Sequence, residues 1–186
     1  MLGEAASQPS NPCPEEMMDH QDPATYSAGV LRRLAIAAQL DREAFFAEHA
    51  RWRRSYGDRV EAVVLAEGSR RQVEGGRVAP LEVWTFFRHH PDGPFPTRRR
   101  RVPATRDPWK RVLAEPSLAG RPITLVSVSL DADRFDDAEL IVRRYLMTGK
   151  TASARRLAKG RVIVLEPASG RGQVVWQPAG MMDTEN

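Results

Sequence analysis

Residues 63–87 read VVLAEGSRRQVEGGRVAPLEVWTFF, and this stretch decides the fold. The apolar run over 60–66 predicts a strand buried on both faces, because a strand with one wet face would alternate polar and apolar residues. Gly68, Gly75 and Gly76 predict the loop after it. A second strand is predicted over 81–87. Its alternation sets Leu81, Val83, Thr85 and Phe87 on one face and Glu82, Trp84 and Phe86 on the other. One acid therefore shares a strand face with two aromatic rings.

Towards the N-terminus, Ser27 suits the N-cap of an amphipathic helix over 28–40. Asp41 is expected to cap a second helix running to Tyr56, with Phe45, Phe46, His49, Trp52 and Tyr56 as its stripe and Gly57 as its stop. Arg51, Arg53, Arg54 and Arg59 read as its solvated side. Towards the C-terminus, His89-His90, Pro91, Asp92-Gly93 and Pro94 break the chain, and Arg98–Arg101 follow as a basic connector. Asp107 and Pro108 read as N-cap and first residue of a short helix through Leu113. Then come a strand over 123–130, an acidic turn over 131–137, a helix through Tyr145 or Met147, a short helix over 151–159, a strand over 161–165 and a small edge strand over 174–176. This order predicts one α/β (α+β) domain over 27–167, a small mixed central sheet flanked by helices. Residues 1–26, rich in Pro, Ser and acids, are expected to be a flexible tail, and 168–186 an edge strand and tail.

A chain of 186 residues, 41% hydrophobic and 28% charged, is globular and long enough for one real core. A net charge of +4 permits an anionic partner without demanding one. Cys13 is the single cysteine, so no disulfide closes within the chain, and a reducing cytoplasm is the expected setting. No apolar run approaches the roughly 20 residues of a membrane helix, and the N-terminus lacks the basic and apolar regions of a signal peptide. Neither membrane nor export is expected.

Gly68-Ser69, followed after the loop by Leu81-Glu82-Val83-Trp84, resembles the Gly-Ser and paired-acid signature of the polymerase-beta-like nucleotidyltransferases, and among them the minimal nucleotidyltransferases often encoded as antitoxins. The segments ITLVSVSLDADRF (123–135) and ARRLAKGRVIVLEP (154–167) are similar to the closing strand and the helix, Gly, strand ending of those domains. The resemblance spans 28–167. It implies that Gly68, Ser69 and one of Arg70 or Arg71 hold nucleotide phosphates, and that Glu82 is a catalytic acid and Mg²⁺ ligand. Mg²⁺ takes oxygen ligands, and a two-metal site needs several carboxylates. Here Trp84 stands in the second acid's place and Thr124 in the third's. The resemblance thus implies a degenerate site that binds rather than catalyses. Surviving catalysis would need Asp131 or Glu74 beside Glu82.

A second feature is independent of that likeness. Over 88–121, nine Arg or Lys stand against Asp92, Asp107 and Glu115. Arg98, Arg99, Arg100 and Arg101, with Lys110 and Arg111, are candidate contacts to nucleic-acid phosphates, and Trp109 is a candidate stacking surface. The plainer reading is a solvated loop neutralised by the acidic turn at 131–137. His89 and His90 point opposite ways and predict no metal site. His49 is expected to pack. The motif of a P-loop or a nucleophile elbow is missing from the sequence. Two functions follow. One is a degenerate nucleotidyltransferase-like domain binding nucleotide, nucleic acid or a partner protein in an antitoxin-like or regulatory role. The other is a small basic nucleic-acid-binding accessory protein of a mobile element or bacterial operon, with no nucleotide pocket.

Overall fold

The computed structural model describes residues 26–57, 59–67, 80–118, 121–131 and 137–179. The expected tail up to residue 25, Gly68, Ser69, Arg70, Arg71, Glu74 and most of the acidic turn lie outside the described residues.

Helix α1 (Ala28–Leu40) begins where the Ser27 hydroxyl accepts the Val30 amide at 3.3 Å. The single helix expected over 41–56 is two, α2 (Arg42–Glu48) and α3 (Ala50–Tyr56). His49 breaks it, with φ −127° and ψ 54°. Leaving the helix lets its ring lie tilted against Phe45 at 4.8 Å and approach Phe95 at 5.3 Å. Asp41 makes no side-chain cap bond, because its carboxylate is taken by Arg100.

Strand β1 (Ala62–Glu67) pairs antiparallel with β2 (Leu81–Arg88). The expected connector is itself a strand, β3 (Arg98–Arg101). Helix α4 (Trp109–Leu113) starts one residue later than expected, with Pro108 rather than Asp107 at its N-cap. Strand β4 (Ile123–Leu130) pairs parallel with β2 and antiparallel with β3. Helix α5 (Ala138–Thr148) is capped by Asp137, whose carboxylate accepts the Glu139 amide at 2.7 Å. Helix α6 (Ala152–Leu157) is capped by Thr151. Strands β5 (Arg161–Leu165) and β6 (Gly172–Trp176) close the sheet.

The strands form one mixed six-stranded sheet in the order β3-β4-β2-β1-β5-β6. Alternation along each strand builds two cores. Val63, Leu65, Leu81, Val83, Leu125 and Ile163 pack on one face against α1 and α4. Val64, Trp84, Phe86, Val126, Val128 and Val164 pack on the other against α5 and α6. A third cluster, Phe45, Phe46, Trp52, Phe87 and Phe95, ties α2 and α3 to the sheet. Gly160 sits so close to β1 that a Cβ there would collide with the Glu67 carbonyl. No described helix is long and apolar enough to cross a membrane.

Candidate functional site around Glu82

Glu82 lies near the start of β2, paired with Ala66 on β1 and Thr124 on β4. Its side chain is only 11% exposed. A carboxylate so placed must be neutralised, because an unpaired buried charge costs several kcal/mol. Arg99, two strands away on β3, donates to Oε1. Arg156, in the last turn of α6, donates to the same oxygen from Nη2 at 2.7 Å and from Nε at 3.1 Å. The Trp84 indole N–H donates to Oε2 at 3.2 Å. Both oxygens are occupied by the protein's own donors.

Trp84 explains itself in this setting. It is 1% exposed. Its ring stacks on Phe86 at 6.3 Å with 21° between planes, and Phe86 meets Tyr145 edge-on at 5.3 Å. The indole fills the α5–α6 core with its body and satisfies Glu82 with its N–H, the two uses that a buried tryptophan allows.

A Mg²⁺ centre does not fit these residues. Trp84, not a second acid, shares the strand face of Glu82, and the residue opposite Glu82 on β4 is Thr124. Asp131 follows Leu130, which pairs with Arg88 at the far end of β2. Six residues of strand, Leu125 to Leu130, separate it from Thr124, roughly 20 Å. Glu67 is adjacent to Ala66 and so points to the opposite face from Glu82. Among the described residues there is no group of three metal-ligating side chains.

The arginines divide by face. Arg99 and Arg101 pair with Val126 and Thr124 and share the face of Glu82. Arg98 and Arg100 pair with Ser127 and Leu125 on the α1 face. Arg99 and Arg100 are held by Glu82 and Asp41, so two of the four serve the fold. Arg98 and Arg101 make no ion pair among the described residues. Lys110 and Arg111 are exposed on α4, with Arg111 3.4 Å from Asp107. Trp109 is 1% exposed and packs in the α1 core, so it offers no stacking surface. A concavity of about 960 Å³ is lined by Tyr26, Glu61, Asp137, Glu166 and Arg171 among others, and not by Glu82.

Sequence reasoning missed a second buried ionic group. Glu67, the residue before Gly68, meets Arg161 Nε at 2.6 Å, with side chains 11% and 10% exposed. Tyr26 adjoins it, accepting from Arg121. Burial raises the Tyr26 phenol's pKa most, and the Glu67 charge raises it further. The available signal was an acid ending an apolar strand and a basic residue opening the last one.

His49 packs as expected. Burial lowers its pKa from the ordinary histidine value, and Arg98 adds to the shift. A base with a depressed folded-state pKa keeps its full stability above the unfolded value near 6.5 and loses it as pH falls through the folded one. Acidifying from about pH 7.5 to about pH 5 is therefore expected to lower the melting temperature more in the native chain than in His49→Phe. Parallel melting curves for the two proteins across that range would contradict this.

No protein-family model, curated protein or solved structure matches this chain.

Proposed function

We propose that this chain is a catalytically degenerate, nucleotidyltransferase-like binding domain that takes nucleic acid along its arginine edge strand. The observation that supports this reading is the saturation of Glu82. Its carboxylate is neutralised by Arg99, Arg156 and Trp84, so it serves as an anchor for cations rather than as a metal ligand. The anchored guanidiniums remain 39% and 49% exposed, which leaves their outer N–H groups for phosphate while the inner ones hold Glu82. Arg101 adds charge on the same face, and Arg98 at the start of the strand. Asp131, where the acidic turn begins, is a poor neutraliser for Arg101, because β4 places Leu130 and Thr124 at opposite ends. The lone cysteine suits the reducing cytoplasm in which such a ligand would be met.

The test is a salt titration of oligonucleotide binding. Native protein should bind single-stranded or duplex DNA with affinity falling steeply as salt rises. The double variant Arg98→Ala/Arg101→Ala, which breaks no ion pair among the described residues, should lose about 1.4 units of log–log slope on single strands or about 1.8 on duplex, two phosphate contacts' worth. An unchanged slope would overturn the assignment to β3. ATP binding that is lost in Ser69→Ala and indifferent to the arginine variants would move the ligand to the Gly68-Ser69 loop. Nucleic-acid binding without any nucleotide binding would favour the accessory-protein reading.

A further inference from the structure

The turn after β2 reads His89-His90-Pro91-Asp92-Gly93 and closes on itself, the Gly93 amide donating to the His90 carbonyl at 2.8 Å. Within it, Asp92 Oδ2 lies 3.1 Å from His90 Nδ1. The other ring nitrogen, Nε2, lies 2.9 Å from the hydroxyl oxygen of Ser55 in the last turn of α3. The imidazole is 10% exposed. It is held near Trp52 and Tyr56, ring centroids 5.6 Å and 6.3 Å away, and the Tyr56 hydroxyl donates to the His89 carbonyl, fastening helix to turn. Ser55 itself is exposed.

The Asp92 amide is also 3.2 Å from Nδ1, and the two Asp92 groups demand opposite protonation of that nitrogen. A charge-assisted N–H to carboxylate bond is about twice as strong as a neutral one, and an amide in an exposed turn is satisfied by water. Nδ1 therefore carries the proton and donates it in a hydrogen bond to the Asp92 carboxylate. Nε2 then presents its lone pair to the Ser55 hydroxyl. Nucleophile, base and orienting acid stand in the order that activates a hydroxyl.

We infer that Ser55, His90 and Asp92 form a nucleophilic site that transfers the acyl group of a small activated ester. Ser55 Oγ attacks the ester carbonyl as its proton passes to His90 Nε2. The tetrahedral species collapses, the C–O bond to the leaving group breaks, and the departing alkoxide takes the proton from Nε2. Water, deprotonated by the same nitrogen, attacks the acyl-serine and releases the acid, returning the proton to Ser55. The amides of Gly57 and Gly93 are engaged by the Arg53 and His90 carbonyls. Arg51, one turn before Ser55 on the same helix face, is the cation available to the developing oxyanion. The open surface suits a small substrate.

The test uses the full chain and a fluorophosphonate probe, with the adduct mapped by peptide mass spectrometry. Wild type should carry the adduct on Ser55. Ser55→Ala, an exposed change, should fold normally and lose it. His90→Asn should slow labelling about 100-fold or more, the usual contribution of a general base. Asp92→Asn, also exposed, should slow it as well, and it carries the test if His90→Asn fails to fold. Absence of label on Ser55, or a rate that Asp92→Asn leaves unchanged, overturns the site and leaves three residues that merely staple a turn to a helix.

Discussion

Replacing Trp84 with aspartate, the residue that a paired-acid site would carry, is expected to unfold the domain rather than arm it. Truncating a fully buried tryptophan costs about 3–5 kcal/mol through lost burial and the cavity left behind. The aspartate would also put a second carboxylate beside Glu82 in a core lined by Phe86, Val126 and Tyr145, where Arg99 and Arg156 are already committed to Glu82. Against a total stability of roughly 5–15 kcal/mol, that loss leaves little folded protein. Trp84→Phe separates the two contributions. It keeps most of the ring and removes the N–H that Glu82 accepts, a hydrogen bond to a charged group worth about 1.5–3 kcal/mol. Urea unfolding of the three proteins measures both. A Trp84→Asp chain that melts like the native one and binds Mg²⁺ would show that the tryptophan is a dispensable occupant of a metal site.

The second large effect is expected at Glu67. Its carboxylate and the Arg161 guanidinium are both nearly buried, 2.6 Å apart. Removing one partner of such a pair costs about 3–5 kcal/mol, because the other is left charged in a poor dielectric. Glu67→Ala should therefore destabilise the domain by about that much. Glu67→Leu combined with Arg161→Met should cost distinctly less than Glu67→Leu alone, since the double change strands no charge. A double-mutant cycle by urea unfolding reads the coupling directly, and a Glu67→Ala cost below about 1 kcal/mol would place the pair among ordinary surface contacts. The change also touches Tyr26, whose phenol is held neutral by burial and by the Glu67 charge.

Both predictions concern residues flanking the loop that first suggested a nucleotide site, and they show what the sequence could express. Strands β4 and β5 run over the residues that apolar patterning marks, because each is a buried strand with a clear start and stop. Glu82, Trp84 and Phe86 share a face as period-two alternation requires. What alternation does not state is a partner. Arg99 is 17 residues from Glu82 and Arg156 is 74, and only the crossing of α6 over the sheet brings the latter within reach. The arginine run looked like a linker because strand propensity disfavours charge. It becomes a strand because acids on both faces await its alternate side chains. The break at His49 was hidden for a similar reason, since the gain lies in rings of Phe45 and Phe95 that helix periodicity does not report. Ser55, 35 residues from His90, could not be joined to it by any local pattern.

The position of the arginine strand carries one more consequence. A sheet has two unpaired rims, and here they are chemically unlike. At the β3 rim an approaching copy of the same protein would set Arg98 and Arg101, which make no ion pair among the described residues, against their own counterparts, so that edge refuses self-templated growth. Among the described residues of β6 there is no such guard: Val174 and Trp176 are 45% and 37% exposed along it. Crowding, misfolding or concentration should thus drive strand addition in one direction only, and a lysine introduced at Val174 would leave the protein with two repellent borders instead of one.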